Sequence, residues 1–377
     1  MKITAKKKTL ITSLSRIQGI VEKTSIKPIT SNVLIDATKD GISVSATDLK
    51  IGIKAKYYDV EVFKEGRISV NAKKLYEIIK EMPEKKISLF EKENYWIEIT
   101  CGNDVSFNII GLPPEDFPMF LRENKDNYIE WETKKVLNML DLTLFSMSKD
   151  DTKININGAY IENIEGKKTR MVTTDGYRLS IVDENLKEKL PLEEGLIVSY
   201  KAINELNRIL LEKREEKKLY IMLNKNSILM KIGEVEFFIR LIEKKFPDYK
   251  TIIPGEGYNK VEVKIQKEKI KPALKRMSII SYENNRPVVF LFKGDMLEVF
   301  TEDSELGNVK ETLKLEETLK EDFSFNINSN YLLDILNAVD DDVIIEFNTD
   351  EEDRPVIVRP VIKKENVKFI IMPMVLD

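Results

Sequence analysis

The sequence predicts an α+β fold in which one unit of about 125 residues occurs three times in tandem. Three phenylalanines in similar strand-like stretches recur at equal spacings of 131 residues: Phe107, Phe238 and Phe369. Three further pairs, each after an alternating apolar stretch, recur at intervals of 127 and 128 residues: Thr47-Asp48, Thr174-Asp175 and Glu302-Asp303. Three copies of one unit therefore account for the length of the chain.

Each copy is predicted to contain two helices, because apolar residues recur at i, i+3 and i+4 in two places per copy. The first helices are predicted at residues 9–20, 133–147 and 267–280, and the second at 71–79, 200–206 and 330–336. Between them, alternating apolar residues and turn signals predict antiparallel strands. Each copy therefore runs strand, helix, several strands, helix and several strands.

Two similar segments that contain Phe-Pro mark the joints between copies, at residues 112–118 and 242–249. Proline fixes its own φ and favours extended backbone in the residue before it, which suits a stiff connection. We therefore predict domains at residues 1–125, 126–254 and 255–377.

The composition excludes most catalytic classes. The chain has no histidine and a single cysteine, Cys101, so it cannot build a Ser-His-Asp triad or a zinc site of histidines or several cysteines. It also lacks the glycine-rich motifs of nucleotide-binding loops. A hydrolase that uses the carboxylates of Asp48, Asp175 or Asp303 is an alternative, but an active site rarely needs equivalent acids in three domains. We expect no enzymatic activity, no metal and no cofactor.

The expected location is the cytoplasm, without a membrane partner. No apolar run reaches the roughly 18 residues of a membrane helix, and the first residues lack the apolar region of a signal peptide. One cysteine is compatible with a reducing compartment.

The net charge of −4 combines 60 basic with 64 acidic residues, whereas general nucleic-acid binders are usually basic. The basic residues, however, concentrate in and around the predicted helices of all three copies. On one helix such residues commonly form a solvated face. Their recurrence in three copies favours a shared basic surface that attracts phosphates without reading sequence.

Several motifs, taken in order, resemble the bacterial DNA polymerase III beta subunit family, the sliding clamps. They are Met1-Lys2-Ile3-Thr4, Pro28 with Asn32, Ala46-Thr47-Asp48-Leu49, Thr174-Asp175-Gly176-Tyr177-Arg178-Leu179, Phe246-Pro247-Asp248-Tyr249 and Met372-Pro373-Met374. The resemblance extends along the whole chain. It implies a DNA-clamp fold in which a head-to-tail homodimer forms a six-domain ring around duplex DNA. Such a ring would act as a processivity factor, because enclosure rather than tight contact retains it.

The resemblance also implies a groove between the second and third domains that binds short peptides of partner proteins. The implied partners are the replicative DNA polymerase alpha subunit, the clamp loader, and other polymerases and repair proteins. Carried over position by position, the wall of the groove consists of Ile156, Thr174, Gly176, Tyr177, Arg178, Leu179, Pro247, Ile252, Ile370, Met372, Pro373, Met374 and Leu376. Considered alone, Thr174-Asp175-Gly176 is equally compatible with a simple turn, and Met372 and Met374 with the last strand of a core.

Two positions depart from the family's pattern. Tyr177 stands where a histidine is common, and Val375 stands where an arginine is common. The chain also extends by one residue, to Asp377. We therefore expect the peptide preference to differ from that of other members.

For the dimer, the resemblance implies a seam between the first domain of one chain and the third domain of the other, formed by Lys74, Phe107, Ile279, Ile280 and Glu305. The residues predicted to bind DNA are Arg16, Lys23, Lys27, Lys149, Lys153, Lys201, Arg208 and Lys275. Thr24 replaces the family's loop arginine, and Lys23 and Lys27 are expected to substitute for it. The alternative is a repeat-built interaction scaffold with no DNA role.

Overall fold

The computed structural model describes residues 1–21, 27–118, 128–164, 168–253, 259–281, 287–303, 307–348, 354–362 and 366–374. Within these ranges the strands pair in antiparallel fashion, and two α-helices occur in each copy. The helices are α1 (Lys7–Ile17), α2 (Ala72–Glu81), α3 (Thr133–Asp141), α4 (Tyr200–Glu212), α5 (Lys267–Ser281) and α6 (Ser329–Ala338). The predicted α+β class with three repeated units is confirmed.

The strands of the first copy are β1 (Lys2–Lys6), β2 (Asn32–Thr38), β3 (Gly41–Thr47), β4 (Ile51–Tyr57), β5 (Val60–Lys64), β6 (Gly66–Asn71), β7 (Lys86–Glu91), β8 (Trp96–Cys101) and β9 (Val105–Leu112). Those of the second copy are β10 (Ile129–Glu132), β11 (Gly158–Asn163), β12 (Lys168–Thr174), β13 (Arg178–Asn185), β14 (Leu196–Ser199), β15 (Lys218–Asn224), β16 (Ser227–Ile232) and β17 (Val235–Arg240). Those of the third copy are β18 (Lys260–Ile265), β19 (Val288–Lys293), β20 (Met296–Asp303), β21 (Gly307–Lys314), β22 (Phe323–Ile327), β23 (Val343–Asn348), β24 (Val356–Pro360) and β25 (Val367–Ile371).

Local sequence explains where helices begin and end. The Asn71 side chain accepts a hydrogen bond from the Lys74 N–H at 2.9 Å and so caps α2, whose apolar stripe is then buried. The predicted helix at 133–147 is shorter than expected, since α3 ends at Asp141. There the Thr143 hydroxyl donates to the carbonyl of Met139 at 2.7 Å, and a short 3₁₀ turn follows.

The chain forms two compact units, Met1–Lys134 with Asn204–Leu241, and Lys135–Ile203 with Ile242–Asp377. In the first unit, thirteen strands form one sheet in the order β10-β15-β16-β17-β4-β3-β2-β6-β9-β8-β7-β1-β5. Strands β4 and β17, which come from the first and second copies, pair with Ile51 opposite Ile239. One backbone ladder therefore joins the two copies.

The second unit contains an eight-stranded sheet in the order β14-β11-β12-β13-β25-β24-β23-β18, and a four-stranded sheet in the order β21-β20-β19-β22. Here β13 of the second copy pairs with β25 of the third, with Arg178 opposite Ile371. The core of the third copy is aromatic, for example where Phe290 stacks on Phe325 at 5.0 Å between ring centroids.

A threonine-aspartate turn connects β3 to β4. The Thr47 hydroxyl donates to the carbonyl of Ile51 at 2.7 Å, and the Asp48 carboxylate accepts the N–H groups of Lys50 and Ile51 at 2.8 and 2.7 Å. Leu49, between them, adopts a left-handed φ of 73°, which a branched side chain rarely does. In the equivalent turn between β12 and β13 this position is Gly176, with φ 99°.

These two turns give opposite predictions for substitutions at one structural position. We expect Gly176→Ala to lower the free energy of unfolding by about 1 kcal/mol through backbone strain alone, because no atom lies within 4 Å of the added Cβ. Leu49→Gly relieves strain and should be neutral or stabilise by up to about 1 kcal/mol. Thermal unfolding measures both. Leu49→Ala, which keeps a Cβ, is the control. A Leu49→Gly protein that is less stable than the Leu49→Ala protein would show that the backbone at Leu49 is not strained.

Candidate functional site

The turn at residues 174–178 combines local hydrogen bonding with an exposed side chain. Thr174 donates its hydroxyl to the carbonyl of Arg178 at 2.6 Å, and the Asp175 carboxylate accepts the N–H groups of Tyr177 and Arg178 at 3.0 and 3.1 Å. Asp175 is thus used in holding the turn, as Asp48 is in the first copy. The turn leaves Tyr177 projecting, 60% exposed.

The segment after β25 is fixed by two backbone hydrogen bonds. The Met372 N–H donates to the carbonyl of Tyr177 at 2.9 Å, and the Met374 N–H donates to the carbonyl of Asn326 in β22 at 2.8 Å. The segment therefore passes from the turn to the edge of the four-stranded sheet. Met372 is 37% exposed, and Pro373 and Met374 are half-buried. Leu376, predicted in the same wall, lies outside the described residues.

A buried apolar cluster lies beside this segment. Its members come from the segment before β11, from β12, β13, β14, β24 and β25, and from the segment after β17: Ile156, Val172, Leu179, Ile181, Ile197, Phe246, Tyr249, Ile357 and Ile370. Three of the predicted wall residues, Ile156, Leu179 and Ile370, therefore share one cluster. Ile357 and Val172 were not predicted to belong to this cluster, because strand alternation alone does not indicate which strands pair with each other.

The segment at residues 246–249 is anchored on this cluster. The Phe246 ring stacks on Tyr160 at 4.8 Å between centroids with an interplanar angle of 11°. The Tyr249 hydroxyl accepts from the Arg170 guanidinium at 3.2 Å and donates to the Glu162 carboxylate. Burial raises the pKa of the Tyr249 hydroxyl, so it remains a hydrogen-bond donor. Pro247 and Ile252 are exposed on either side of this anchor.

Arg170 is itself fixed by a bidentate pair with Asp183, at 2.7 and 2.8 Å. The hydrogen-bonded carboxylate raises the pKa of Arg170, so its charge is permanent. The predicted Phe-Pro joint therefore ends at Tyr249, and the Arg170–Asp183 ion pair positions the hydroxyl of this tyrosine. The Phe246-Pro247-Asp248-Tyr249 motif was the only sequence signal for this anchor.

Arg178 binds back onto the third copy instead of pointing freely into solvent. Its guanidinium donates to Asp175 at 3.0 Å, to Asp334 of α6 at 2.6 Å and to the carbonyl of Phe145 at 2.5 Å. It also lies over the Tyr331 ring, 4.5 Å from the centroid. Arg178 therefore holds the turn of the second copy against the second helix of the third.

The exposed side chains around the cluster form an apolar rim. They are Ile154 (50% exposed), Tyr177, Ile252 (39%) and Met372. The Lys153 ammonium lies 5.9 Å from the centroid of the Tyr177 ring. We call the buried cluster with this rim the groove. An apolar floor with an exposed aromatic and an adaptable methionine suits a short apolar peptide segment.

Most of the basic residues predicted to bind DNA are exposed: Lys27, Lys149, Lys153, Lys201 and Lys275. Lys23 lies outside the described residues. Arg208 is half-exposed and pairs with Glu205 at 2.6 Å. Arg16 is only 5% exposed, and its guanidinium pairs with Glu212 of α4 and donates to the Tyr57 hydroxyl at 2.6 Å. A phosphate contact from Arg16 would require breaking this pair, and the DNA contact of Arg16 stays a prediction.

The residues predicted for a dimer seam are accessible where they are described. Ile279 is 73% and Phe107 is 42% exposed, and Ile280 is half-buried. Lys74 is exposed and pairs with Glu77 of its own helix at 3.2 Å. Glu305, its predicted partner, lies outside the described residues. Phe107 differs from Phe369, which is fully buried in its own copy.

The described residues form neither a metal centre nor a membrane-spanning helix. The part of the chain that the structure describes contains no cluster of three acidic or cysteine side chains suited to hold a metal ion. No helix in the described ranges has the length and apolarity to span a bilayer.

Three models of one family match consecutive parts of the chain. They are the DNA polymerase III beta subunit N-terminal domain at residues 1–121, its central domain at 130–248 and its C-terminal domain at 250–375.

Individual relatives give the same result. The chain is 28% identical to the beta sliding clamp of Rickettsia bellii over 384 residues, covering 99% of each. It is also similar to two solved sliding clamps bound to griselimycin, and covers all of each chain. The Bartonella birtlesii clamp is 29% identical with a TM-score of 0.91, and the Pseudomonas aeruginosa clamp is 26% identical with a TM-score of 0.89.

Proposed function

The chain belongs to the DNA polymerase III beta subunit family, and from this premise we propose how its surfaces serve the function of that family. It is a DNA sliding clamp, a non-catalytic processivity factor of DNA replication. We propose that it works in the cytoplasm through three surfaces: the groove, a seam between two chains of a dimer, and a basic surface that contacts duplex DNA.

The groove is the proposed docking site for partner peptides, and the observation that carries this is its exposed rim over a buried apolar floor. The proposed partners are the polymerase alpha subunit, the clamp loader, and other polymerases and repair proteins. A peptide would seat apolar side chains between Tyr177, Ile252 and Met372. The side chains of Tyr249 and Arg178 are engaged in hydrogen bonds within the protein and would act by holding the walls in place. The griselimycin complexes of two relatives support a ligand site in this family.

We expect Met372→Asp to weaken griselimycin binding at least about tenfold, equivalent to about 1.4 kcal/mol, because a charge would be brought into an apolar contact. Isothermal titration of the purified chain measures the dissociation constant. Tyr58→Ala, which removes another exposed aromatic at 56% exposure in the first unit, is the control. Equal affinity of Met372→Asp and the unaltered chain would rule the groove out.

The seam is proposed to join β9 of one chain to β21 of a second chain by backbone pairing. In the described residues, β9 pairs with β6 only through Gly111 and Leu112, so the edge at 105–110 is open on that side. Strand β21 is the last of its sheet and pairs with β20 alone. Open edges of this kind favour pairing with another chain. Phe107 and Ile279 would supply the apolar contact, and two seams per pair of chains would close a ring.

Ile279→Asp is expected to convert the dimer into monomers at micromolar concentration, because a carboxylate at a buried apolar contact lacks a partner. Sedimentation velocity gives the mass of the species. Ile362→Asp makes the same change at a side chain that is 67% exposed, outside the proposed seam. A dimer that survives Ile279→Asp, or that is equally lost in Ile362→Asp, would refute the assignment.

The basic surface is proposed to consist of Lys27, Lys149, Lys153, Lys201, Arg208 and Lys275, together with Lys23, whose position is not described. Phosphate contacts from these side chains would be independent of sequence and weakened by salt. Weak contacts suit a ring that must slide, since enclosure, not affinity, retains it.

The decisive test of the clamp function is therefore topological. After loading by its clamp loader onto a nicked circular plasmid, the protein should stay bound, and cutting the plasmid once should release it by sliding off the ends. Gel filtration of labelled protein with the DNA measures retention. Blocking both ends with a tightly bound protein should restore retention. Equal retention on circular and open linear DNA would instead favour the scaffold alternative.

A further inference from the structure

The pairing of β1 with β5 is irregular beside Phe63, near the end of β5. Lys2 lies opposite Lys64, but Ile3 lies opposite Val62, so Phe63 is the extra residue of a β-bulge. A bulge changes the direction of a side chain and is common beside functional sites. Phe63 is 62% exposed. Burying a phenylalanine is strongly favourable, so its exposure on a strand calls for an explanation.

The exposed Phe63 belongs to a small aromatic and basic surface. The Lys2 ammonium lies 5.8 Å from the centroid of the Phe63 ring and 5.9 Å from that of Phe90, which is half-buried on the adjacent β7. Lys64 lies directly across from Lys2 in the ladder. We call Lys2, Phe63, Lys64 and Phe90 the Phe63 patch.

The two lysines of the Phe63 patch carry unneutralised charge. Like charges directly opposite each other on neighbouring strands destabilise a sheet, and in the described ranges neither Lys2 nor Lys64 forms an ion pair. The carboxylates around them are occupied by other cations: Asp59 by Lys6, Glu61 by Lys86, Glu91 by the amino terminus and Glu98 by Lys92. Glu65, next to Lys64, pairs with neither lysine. The patch is therefore complementary to negative charge.

The Phe63 patch also borders an open sheet edge, because β5 is the last strand of the thirteen-stranded sheet. Lysines at such an edge commonly prevent aggregation. That role leaves Phe63 unexplained, because an exposed aromatic ring at an open edge favours pairing with another chain instead of preventing it. An open edge, a cationic pair and an exposed ring together match the recognition of an extended peptide that adds a strand.

We propose that the Phe63 patch is a second docking site, which binds an extended acidic segment of a partner protein. The segment would pair with the edge of β5, place carboxylates against Lys2 and Lys64, and pack an aromatic or aliphatic side chain on Phe63. The site lies in the first compact unit, whereas the groove lies in the second. It does not depend on the groove or on the seam.

A random peptide library displayed on phage, selected on the full-length chain, tests this site. Selected peptides should be enriched in acidic residues with an apolar anchor. Their affinity, measured by fluorescence polarisation, should fall at least about tenfold in Lys2→Glu/Lys64→Glu and in Phe63→Ser, and should fall with added salt.

Lys6→Glu/Lys86→Glu is the matched control, since it makes the same change of charge on β1 and on the other strand that pairs with it, β7. Thermal unfolding and sedimentation velocity of each variant verify that fold and assembly are retained. The proposal is overturned if the selected peptides bind the Lys2→Glu/Lys64→Glu and Phe63→Ser proteins as tightly as the unaltered chain. It is also overturned if Phe63→Ser changes the mass of the assembly in sedimentation, because the Phe63 patch would then be a contact between two chains.

Discussion

Backbone pairing between strands of different copies is the constraint on which the two larger sheets and the groove depend. The Arg240 N–H donates to the carbonyl of Lys50 where β4 meets β17, and the Met372 N–H donates to that of Tyr177 where β13 meets β25, at 2.7 and 2.9 Å. Main-chain groups make these bonds, so the bonds do not require particular side chains at Lys50, Arg240, Tyr177 or Met372. Evolution can therefore vary the side chains at each joint. The first joint displays lysine and arginine there, and the second displays tyrosine and methionine.

Carboxylates in this histidine-free chain serve mainly to hold backbone and cations in place. Asp48 and Asp175 each accept two N–H groups of a turn, and Asp183 fixes the arginine that orients Tyr249. Each of these carboxylates accepts at least two hydrogen bonds, which makes it less available as a general base. The result agrees with a family whose work depends on shape, peptide docking and charge.

Periodicity and equal spacing along the sequence were sufficient to predict the copies and their six helices, because those features are local or repeated. The resemblance named groove residues that do lie together, such as Leu179 and Ile370. The remaining features could not be predicted, because they depend on contacts between residues far apart in the sequence. Nothing in the sequence indicates that Arg16, predicted to contact phosphate, pairs with Glu212, 196 residues away. Likewise, nothing local distinguishes the exposed Phe107 from the buried Phe369, since the difference depends on which strand lies beside each.

The borders of the repeats and those of the compact units do not coincide, since the middle copy contributes residues to both units. A fragment cut at a repeat border would lose the partner of β4 or of β13 and expose a long row of unsatisfied N–H and C=O groups. Isolated repeats of this protein should therefore aggregate and fold poorly. Amide hydrogens of β4 and β17 should in turn exchange together, as one cooperative element that spans two evolutionary modules.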